Sequence, residues 1–356
     1  MKRNLAWSLA AAGLFTGTLL AKGDSFAPPS PGKFYQGFFY SAPTPGSDDA
    51  NEHNVTAADV DRFEKAVGKK TAWVYFSDNW FESRAFPETT CRWIQSLGKV
   101  PYLRLMLRSS LDQKRAEKKF NLTKICAGDF DEDLKRWAEE ARKFRHPILI
   151  EWGTEPNGEW FSWNGKWHGH AAGPALYVRA YRHIVDVMRA ADAGNLQWVW
   201  HVNWDDVPTS PWNRMENYFP GDDYCTWLAL SAYGPLTPQT HEVESFREEL
   251  DHVYPRLTKL APGKPIIVAE FGCDIHHRGV TAAHWAHAAL QDLFAGRWPG
   301  IIGFSWWNES WENDDVEANN SDLNILHDPA LIAVFREEFA KHGGQIEETP
   351  ILRRGR

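Results

Sequence analysis

Residues 148–163 read Ile-Leu-Ile-Glu-Trp-Gly-Thr-Glu-Pro-Asn-Gly-Glu-Trp-Phe-Ser-Trp, and this stretch decides the fold prediction. It begins after Pro147 as an apolar run that is short enough for a buried parallel strand and too short for a helix. The Pro-Asn-Gly sequence behind Glu155 is typical of a turn. We therefore expect a rigidly held carboxylate at the end of a buried strand.

A second carboxylate repeats this pattern much later in the chain, where Ile266-Ile-Val-Ala-Glu-Phe-Gly272 is another short apolar run that contains Glu270. Two carboxylates at two strand ends are the minimal machinery of glycoside hydrolysis. Tryptophans cluster around the first carboxylate, and aromatic faces suit the apolar faces of sugar rings. The alternative is a core strand that runs into a surface turn with incidental acids.

The rest of the chain alternates predicted strands and helices. The strands are expected at 34–40, 71–76, 100–107, 148–152, 196–203, 226–233, 265–271 and 301–307. Helices are expected at 54–67, 88–97, 129–144, 174–193, 245–260, 282–295 and 329–341, with no clear helix between the fifth and sixth strands. This alternation predicts an α/β fold, a single (β/α)8 TIM barrel over residues 22–356. A doubly wound open sheet is the alternative.

The net charge and an N-terminal targeting signal limit the classes of protein that fit this sequence. The formal net charge of −8 argues against a nucleic-acid partner. Met1-Lys-Arg and the apolar run from Leu5 to Ala21 predict a signal peptide over residues 1–21, with a retained membrane anchor as the alternative. We expect a secreted or periplasmic monomer that acts on a polysaccharide or oligosaccharide. No cofactor and no metal are expected, because two carboxylates suffice for hydrolysis and the acidic loop 312–320 lacks calcium-loop spacing.

The four cysteines, Cys91, Cys126, Cys225 and Cys273, include no closely spaced pair, which disfavours a zinc site. Cys91 lies near the start of the predicted second helix and Cys126 in the loop before the third, so a 91–126 disulfide is predicted. Cys225 and Cys273 are expected at opposite ends of the barrel and therefore unbridged. The alternative is four free, buried thiols.

If the barrel prediction is right, the carboxyl ends of all strands face one mouth. The polar and aromatic residues expected there, besides the two glutamates, are Tyr40, Asp78, Asn79, Trp80, Arg104, Arg108, Asn157, His201, Asn203, Trp204, Tyr233, Trp306, Trp307, Asn308 and Glu309. Trp160 and Trp163, in the loop after the fourth strand, are predicted to form outer sugar subsites. His201 is expected either to orient a substrate hydroxyl, to tune Glu155, or to serve as a structural donor.

Several motifs together resemble glycoside hydrolase family 26, a family of retaining (β/α)8 enzymes best known for endo-β-1,4-mannanases. Other members cut mixed-linkage β-glucans or β-1,3-xylan. The motifs are Glu155-Pro-Asn-Gly-Glu-Trp160, Tyr177-Val-Arg-Ala-Tyr-Arg-His-Ile-Val185, Asn195-Leu-Gln-Trp-Val-Trp-His-Val-Asn203, Ser231-Ala-Tyr-Gly234 and Lys264-Pro-Ile-Ile-Val-Ala-Glu-Phe-Gly272.

The resemblance implies that Glu155 is the general acid/base, that Glu270 is the nucleophile and that Tyr233 donates a hydrogen bond to it. It also implies that one tryptophan of the Trp306-Trp307 pair lies under the sugar that is cleaved. Because neighbours in a strand face opposite ways, only one of them points into the mouth. We favour Trp306, since it ends the apolar run of Ile302, Phe304 and Trp306.

Two positions depart from the pattern that this family commonly has. Thr154 stands where a histidine usually precedes the acid/base, and Glu151 stands in place of a basic residue. We expect both near the subsite that reads the sugar 2-hydroxyl, and we expect Glu151 to pair with Arg104 inside the barrel. The leading hypothesis is a secreted retaining endo-β-glycanase acting on β-1,4-mannan. Alternatives are the same chemistry on β-glucan or β-xylan, and a non-catalytic glycan-binding barrel.

Overall fold

The structure is a computed structural model that describes residues 23–43, 50–52, 54–241 and 243–355. The predicted signal peptide lies outside the described residues. Within the described ranges, no helix is both long enough and apolar enough to cross a membrane.

Eight parallel strands close into a barrel, and neighbours in the barrel are also neighbours in the chain. The strands are β1 (Tyr35–Tyr40), β2 (Trp73–Asn79), β3 (Val100–Met106), β4 (Ile148–Trp152), β5 (Leu196–Asn203), β6 (Trp227–Tyr233), β7 (Ile266–Gly272) and β8 (Ile301–Asn308). β8 pairs with β1 and completes the ring. The (β/α)8 prediction is confirmed, and the open-sheet alternative is wrong.

The α-helices of the described residues are α1 (Ala57–Val67), α2 (Glu88–Ser96), α3 (Leu122–Ala127), α4 (Asp131–Phe144), α5 (Gly173–Ala190), α6 (Phe246–Leu260), α7 (Ala282–Phe294) and α8 (Pro329–His342). Thr56 and Ser245 start α1 and α6 with capping boxes, in which the side chain and a third-position acid satisfy backbone N–H groups. As expected, only short 3-10 turns lie between β5 and β6. The short α3 was not predicted.

Aromatic side chains fill the barrel interior, and a separate apolar layer packs between strands and helices. The interior cluster includes Tyr35, Phe39, Trp73, Tyr75, Tyr102, Trp227 and Trp307. At the end opposite the mouth, the two-residue strand Ser25–Phe26 pairs antiparallel with Leu352–Arg353. There the Phe26 ring stacks on Trp227 with a centroid distance of 5.3 Å, so it closes the bottom of the barrel.

All four cysteines are free, so the predicted 91–126 disulfide is wrong and the alternative of free thiols holds. Cys91 is buried on α2 in the apolar layer beneath the helices. Cys126 lies on the unpredicted helix α3, where its thiol is 3.9 Å from the Leu176 carbonyl oxygen of α5. α3 therefore directs Cys126 towards α5. Cys225 and Cys273 are unbridged, as expected.

Candidate active site

The turn after β4 presents Glu155 to the mouth. Gly153 has a φ of +67°, and a Cβ atom there would lie 2.6 Å from the Tyr177 ring. Glu155 itself has a φ of +47°, a conformation that a non-glycine residue adopts only when its surroundings hold it. Its N–H donates to the His201 carbonyl oxygen at 2.9 Å. The Trp160 indole N–H donates to Glu155 Oε2 at 2.7 Å, which orients the carboxyl group.

Glu270 lies on β7 at an irregularity in the strand pairing. The register with β6 shifts between Val268 and Glu270, as it does at a β-bulge. The Tyr233 hydroxyl donates to Glu270 Oε2 at 2.7 Å, and Arg104 Nη1 lies 3.2 Å from Oε1. Such donors favour an ionised carboxylate, which a nucleophile requires.

Burial and neighbouring charges act in opposite directions on the Glu270 carboxyl. Burial raises its pKa, Arg104 lowers it, Glu155 raises it further, and the result is about 7. The charge of Glu155 acts on Glu270 and also on Tyr233, so the two carboxyl groups share one mouth. General acid catalysis beside a carboxylate nucleophile uses two carboxyl groups that face the same site.

A buried ionic network lies beneath the two carboxyls. Glu151 is fully buried and accepts hydrogen bonds from the hydroxyls of Tyr75 and Tyr102, each at 2.5 Å. His201 Nδ1 lies 3.1 Å from Glu151 Oε2. The predicted pairing of Glu151 with Arg104 is therefore wrong, because β5 pairs with β4 and places His201 beside Glu151.

His201 and Thr154 are also buried. The Thr154 hydroxyl lies 3.0 Å from His201 Nδ1, and the Ser231 hydroxyl lies 2.8 Å from Nε2. Both ring nitrogens of His201 thus have protein neighbours, and its contact with a substrate hydroxyl stays a prediction. The two departures at Glu151 and Thr154 lie under the mouth rather than on its surface.

Two arginines and a glutamate form one wall of the mouth. Glu52 accepts from Arg104 at 2.7 Å and from Arg108 at 2.9 Å. Burial alone would raise the pKa of Glu52, but the two guanidinium groups outweigh it and lower the pKa to about 2. For Glu309, burial and the nearby Glu52 raise the pKa to about 8, so this carboxyl is mainly neutral at pH 7.

The two tryptophans of β8 face opposite ways, but in the reverse of the predicted order. Trp307 points into the barrel, where its ring stacks on Phe39 at 3.4 Å and lies 5.2 Å from the Arg104 guanidinium. Trp306 packs in the layer between strands and helices, against Trp285 of α7 and Phe335 of α8, and its indole N–H donates to the Leu323 carbonyl oxygen in the loop after β8. The pairing of β7 with β8 skips Ile302, so the run that ends in Trp306 does not keep to one face.

Some of the remaining predicted site residues are partly exposed at the mouth, and others are buried in the loops around it. Trp160, Tyr233 and Trp204 are partly exposed at the mouth side. Trp163 is buried and its indole donates to the Thr154 carbonyl oxygen at 2.7 Å, and its place in an outer subsite stays a prediction. Asn157 and Asn203 are also buried and bonded within the loops, so they support the site, and their contact with substrate stays a prediction.

Sequence reasoning did not place Tyr75, Tyr102, Ser231 or Glu52 in the site. Tyr75 and Tyr102 precede Ser77 and Arg104 by two residues, so strand alternation could have directed them to the same interior face. Glu52 follows the two-residue strand Ala50–Asn51, which is too short to give a periodic signal. Among the residues that the structure describes, no group of three or more acidic, histidine or cysteine side chains is arranged to hold a metal ion.

Sequence comparisons identify a family and several relatives. The model of glycosyl hydrolase family 26 matches residues 112–333. Endoglucanase H of Acetivibrio thermocellus is 28% identical over 220 residues, which are 61% of this chain and 23% of that protein. β-1,3-Xylanase TXYA of a Vibrio species is 25% identical over 112 residues, 31% of this chain and 22% of that protein. The chain thus spans less than a quarter of the length of these curated relatives.

Solved structures share the fold at low sequence identity. A family 26 protein of Muricauda sp. MAR_2010_75, GH26C, superposes with a TM-score of 0.64 at 13% identity, covering 92% of this chain and 88% of that one. A β-mannanase of Bacteroides ovatus gives 0.60 at 14% identity, with coverages of 88% and 90%. A mannanase of Bacillus subtilis gives 0.57 at 18% identity, with coverages of 85% and 85%.

Proposed function

The chain belongs to glycosyl hydrolase family 26, and from this premise we propose that it hydrolyses a β-linked polysaccharide by double displacement. The observation that carries the proposal is the pair of carboxyls at the ends of β4 and β7, each held by its own donors. Glu155 accepts from one indole, whereas Glu270 accepts from a phenol and a guanidinium. Different surroundings for two carboxyls support different roles in acid–base chemistry.

In the first step, Glu270 attacks the anomeric carbon and forms a covalent glycosyl-enzyme ester. The bond to the leaving sugar oxygen breaks, and Glu155 gives its proton to that oxygen. In the second step, Glu155 takes a proton from water, the water oxygen attacks the anomeric carbon, and Glu270 leaves as a carboxylate. The anomeric configuration is therefore retained.

The proposed substrate class is an internal β-glycosidic bond of a neutral polysaccharide, with β-1,4-mannan first. β-Glucan is the second candidate, because the relative with 28% identity is named an endoglucanase. β-Xylan is the third, since two of the matching relatives are named β-1,3-xylanases. Hydrolysis of each polymer with sizing of the products tests the substrate and distinguishes internal from terminal cleavage.

Substitution of the two carboxyls tests the mechanism. Glu155→Ala and Glu270→Ala should each lower kcat by several orders of magnitude. Activity of the first variant should recover on aryl glycosides whose leaving group needs no proton, whereas that of the second should not. Glu249→Gln is the matched control, since Glu249 is a buried carboxyl outside the mouth whose pKa burial raises well above its usual value. Equal loss on both substrate types for Glu155→Ala would overturn the acid/base assignment.

We also propose that residues 1–21 direct export and that the protein acts outside the cytoplasm as a monomer. The charged start and the apolar run that follows support export. N-terminal sequencing of the protein from the periplasm or medium, together with light scattering, tests both statements. A mature protein that begins at Met1 would contradict the export proposal.

A further inference from the structure

Beneath the catalytic carboxyls, Glu151 and His201 face each other with no solvent exposure of either side chain. Isolated buried charges are costly, so such a pair persists only where its hydrogen bonds are satisfied. Both Glu151 oxygens have donors, since Tyr75 reaches Oε1 and Tyr102 reaches Oε2. His201 Nδ1 lies within 3.3 Å of both oxygens.

These contacts favour particular positions for the protons. An ionised Glu151 carboxylate only accepts, so a proton on His201 Nδ1 completes that contact, and the Thr154 hydroxyl, 3.0 Å from the same nitrogen, is its second neighbour. His201 Nε2 lies 2.8 Å from the Ser231 hydroxyl, an acceptor for a second ring proton. Burial opposes the charged imidazolium, but Glu151 outweighs burial and raises the pKa of His201. This arrangement favours an ionised carboxylate beside a doubly protonated imidazole.

The pair contacts both catalytic segments. The carbonyl oxygen of His201 accepts from the Glu155 N–H at 2.9 Å. The Tyr75 hydroxyl lies 2.5 Å from Glu151 Oε1 and 3.4 Å from Glu270 Oε1. A phenol has only one proton to donate, so its short bond to Glu151 leaves Glu270 without that donor.

We propose that Glu151 and His201 are positioning residues that set the basicity of Glu270, by retaining the Tyr75 proton and by keeping the charge under the mouth balanced. The inference rests on the proposed function in one respect, namely that Glu270 is the nucleophile. The titratable and charged groups around His201 and Glu151 are Tyr75, Tyr102, Arg104, Glu155, Tyr177, Tyr181 and Glu270. Neither side chain of the pair is exposed, so both act through these neighbours.

Substitution of Glu151 and substitution of His201 should move the acidic limb of the pH profile of kcat/KM in opposite directions. Glu151→Gln weakens the acceptor of the Tyr75 proton, which then turns to Glu270 and stabilises its carboxylate. The acidic limb of kcat/KM should therefore move down by about one pH unit. His201→Gln leaves Glu151 uncompensated beneath Glu270, and like-charge repulsion should move the same limb up by about one pH unit. KM should change little in either variant.

Two further variants separate this mechanism from a general loss of structure. Adding Tyr75→Phe to Glu151→Gln removes the mobile proton and should abolish the downward shift. Glu64→Gln is the matched control, because Glu64 pairs with buried Lys99 at the opposite end of the barrel. It should lower thermal stability without moving the limb. If Glu151→Gln fails to fold, His201→Gln still tests the upward shift. Tyr75→Phe alone should leave the limb in place, since Tyr75 gives its proton to Glu151 rather than to Glu270.

Nitrogen-15 NMR of labelled histidines gives a readout that needs no turnover. The resonance of His201, identified by its loss in His201→Gln, should show both ring nitrogens protonated at pH 7, and Glu151→Gln should abolish this state. A neutral His201 in the wild type, or unshifted limbs in both folded single variants, would overturn the inference. Absence of hydrolysis on every glycan, with a protonated His201, would instead overturn the proposed function alone.

Discussion

Trp306 and Trp307 are adjacent in the chain, yet one packs against the helices and the other lies in the mouth. Trp307→Ala should lower kcat/KM by an amount that corresponds to about 1–3 kcal/mol of stacking and positioning. Trp306→Ala should instead lower the free energy of unfolding by about 3–5 kcal/mol and leave kcat/KM nearly unchanged. Urea unfolding and steady-state kinetics of both variants check this. Loss of activity in a fully stable Trp306→Ala variant would contradict it.

The pKa of Glu270 predicts how activity depends on pH. The carboxyl must be ionised to attack, so kcat/KM should fall as the pH is lowered through about 7. The Tyr233 hydroxyl stabilises the ionised form, so Tyr233→Phe should raise the Glu270 pKa and move this limb to higher pH. A pH profile of both enzymes on one substrate checks the direction. A downward shift in Tyr233→Phe would show that its hydroxyl does not favour the carboxylate.

The same pKa predicts a pH-dependent cost in stability. Folding raises the Glu270 pKa from 4.5 to about 7, so the folded state binds the proton more tightly than the unfolded chain. The contribution of this group to stability is therefore greatest below pH 4.5 and is lost as the pH rises through 7. At about 1.4 kcal/mol per pKa unit, the change is about 3 kcal/mol. Glu270→Gln should thus raise the melting temperature relative to wild type at pH 8 but much less at pH 5. An equal effect at both pH values would contradict the linkage.

At the scale of elements, the loop after β4 is held by Asn157. Its Nδ2 donates to the carbonyl oxygens of Asn203 and Asp205, and its Oδ1 accepts from the Asn203 N–H. Asn157→Ala should leave these buried groups unsatisfied, displace Glu155 and lower both kcat/KM and the free energy of unfolding, the latter by about 1–3 kcal/mol. Thermal melts and kinetics measure the two effects.

Asn217→Ala is the control for Asn157, because the amide of Asn217 also donates to two backbone carbonyls but is exposed. It should change neither quantity appreciably, since water replaces the lost bonds. Equal effects of the two substitutions would mean that burial of the loop's hydrogen bonds does not hold Glu155.

At the scale of the whole molecule, the segment around Phe26 closes the end of the barrel opposite the mouth. The residues that it contacts there lie far from it in the sequence. The backbone N–H and C=O of Phe26 bond to the Gln197 side chain, and its ring stacks on Trp227. Phe26→Ala should lower the free energy of unfolding by about 3–5 kcal/mol and leave kcat/KM unchanged at temperatures where the variant is folded. Leu352→Ala, on the pairing strand but exposed, is the matched control and should cost little. A large activity loss in a folded Phe26→Ala variant would show coupling between the two ends of the barrel.

The sequence by itself determined the barrel and the two strand-end carboxyls. Strand alternation, helix caps and the turn after Glu155 are local patterns, and repeated alternation of strand and helix has few compact solutions. Strand β5 was predicted with its observed ends, 196–203. The roles of Glu155 and Glu270 stay predictions that the substitutions above would test.

Only the tertiary structure decided which side chains meet. The inward tryptophan depends on the skipped pairing at Ile302, which arises between β7 and β8 and leaves no local signal. His201 became the partner of Glu151 because β5 lies beside β4, whereas Arg104 is drawn to Glu52 and Glu270. Periodicity gives the face of a strand, but contacts between distant segments depend on registers and loops that only the packed chain establishes.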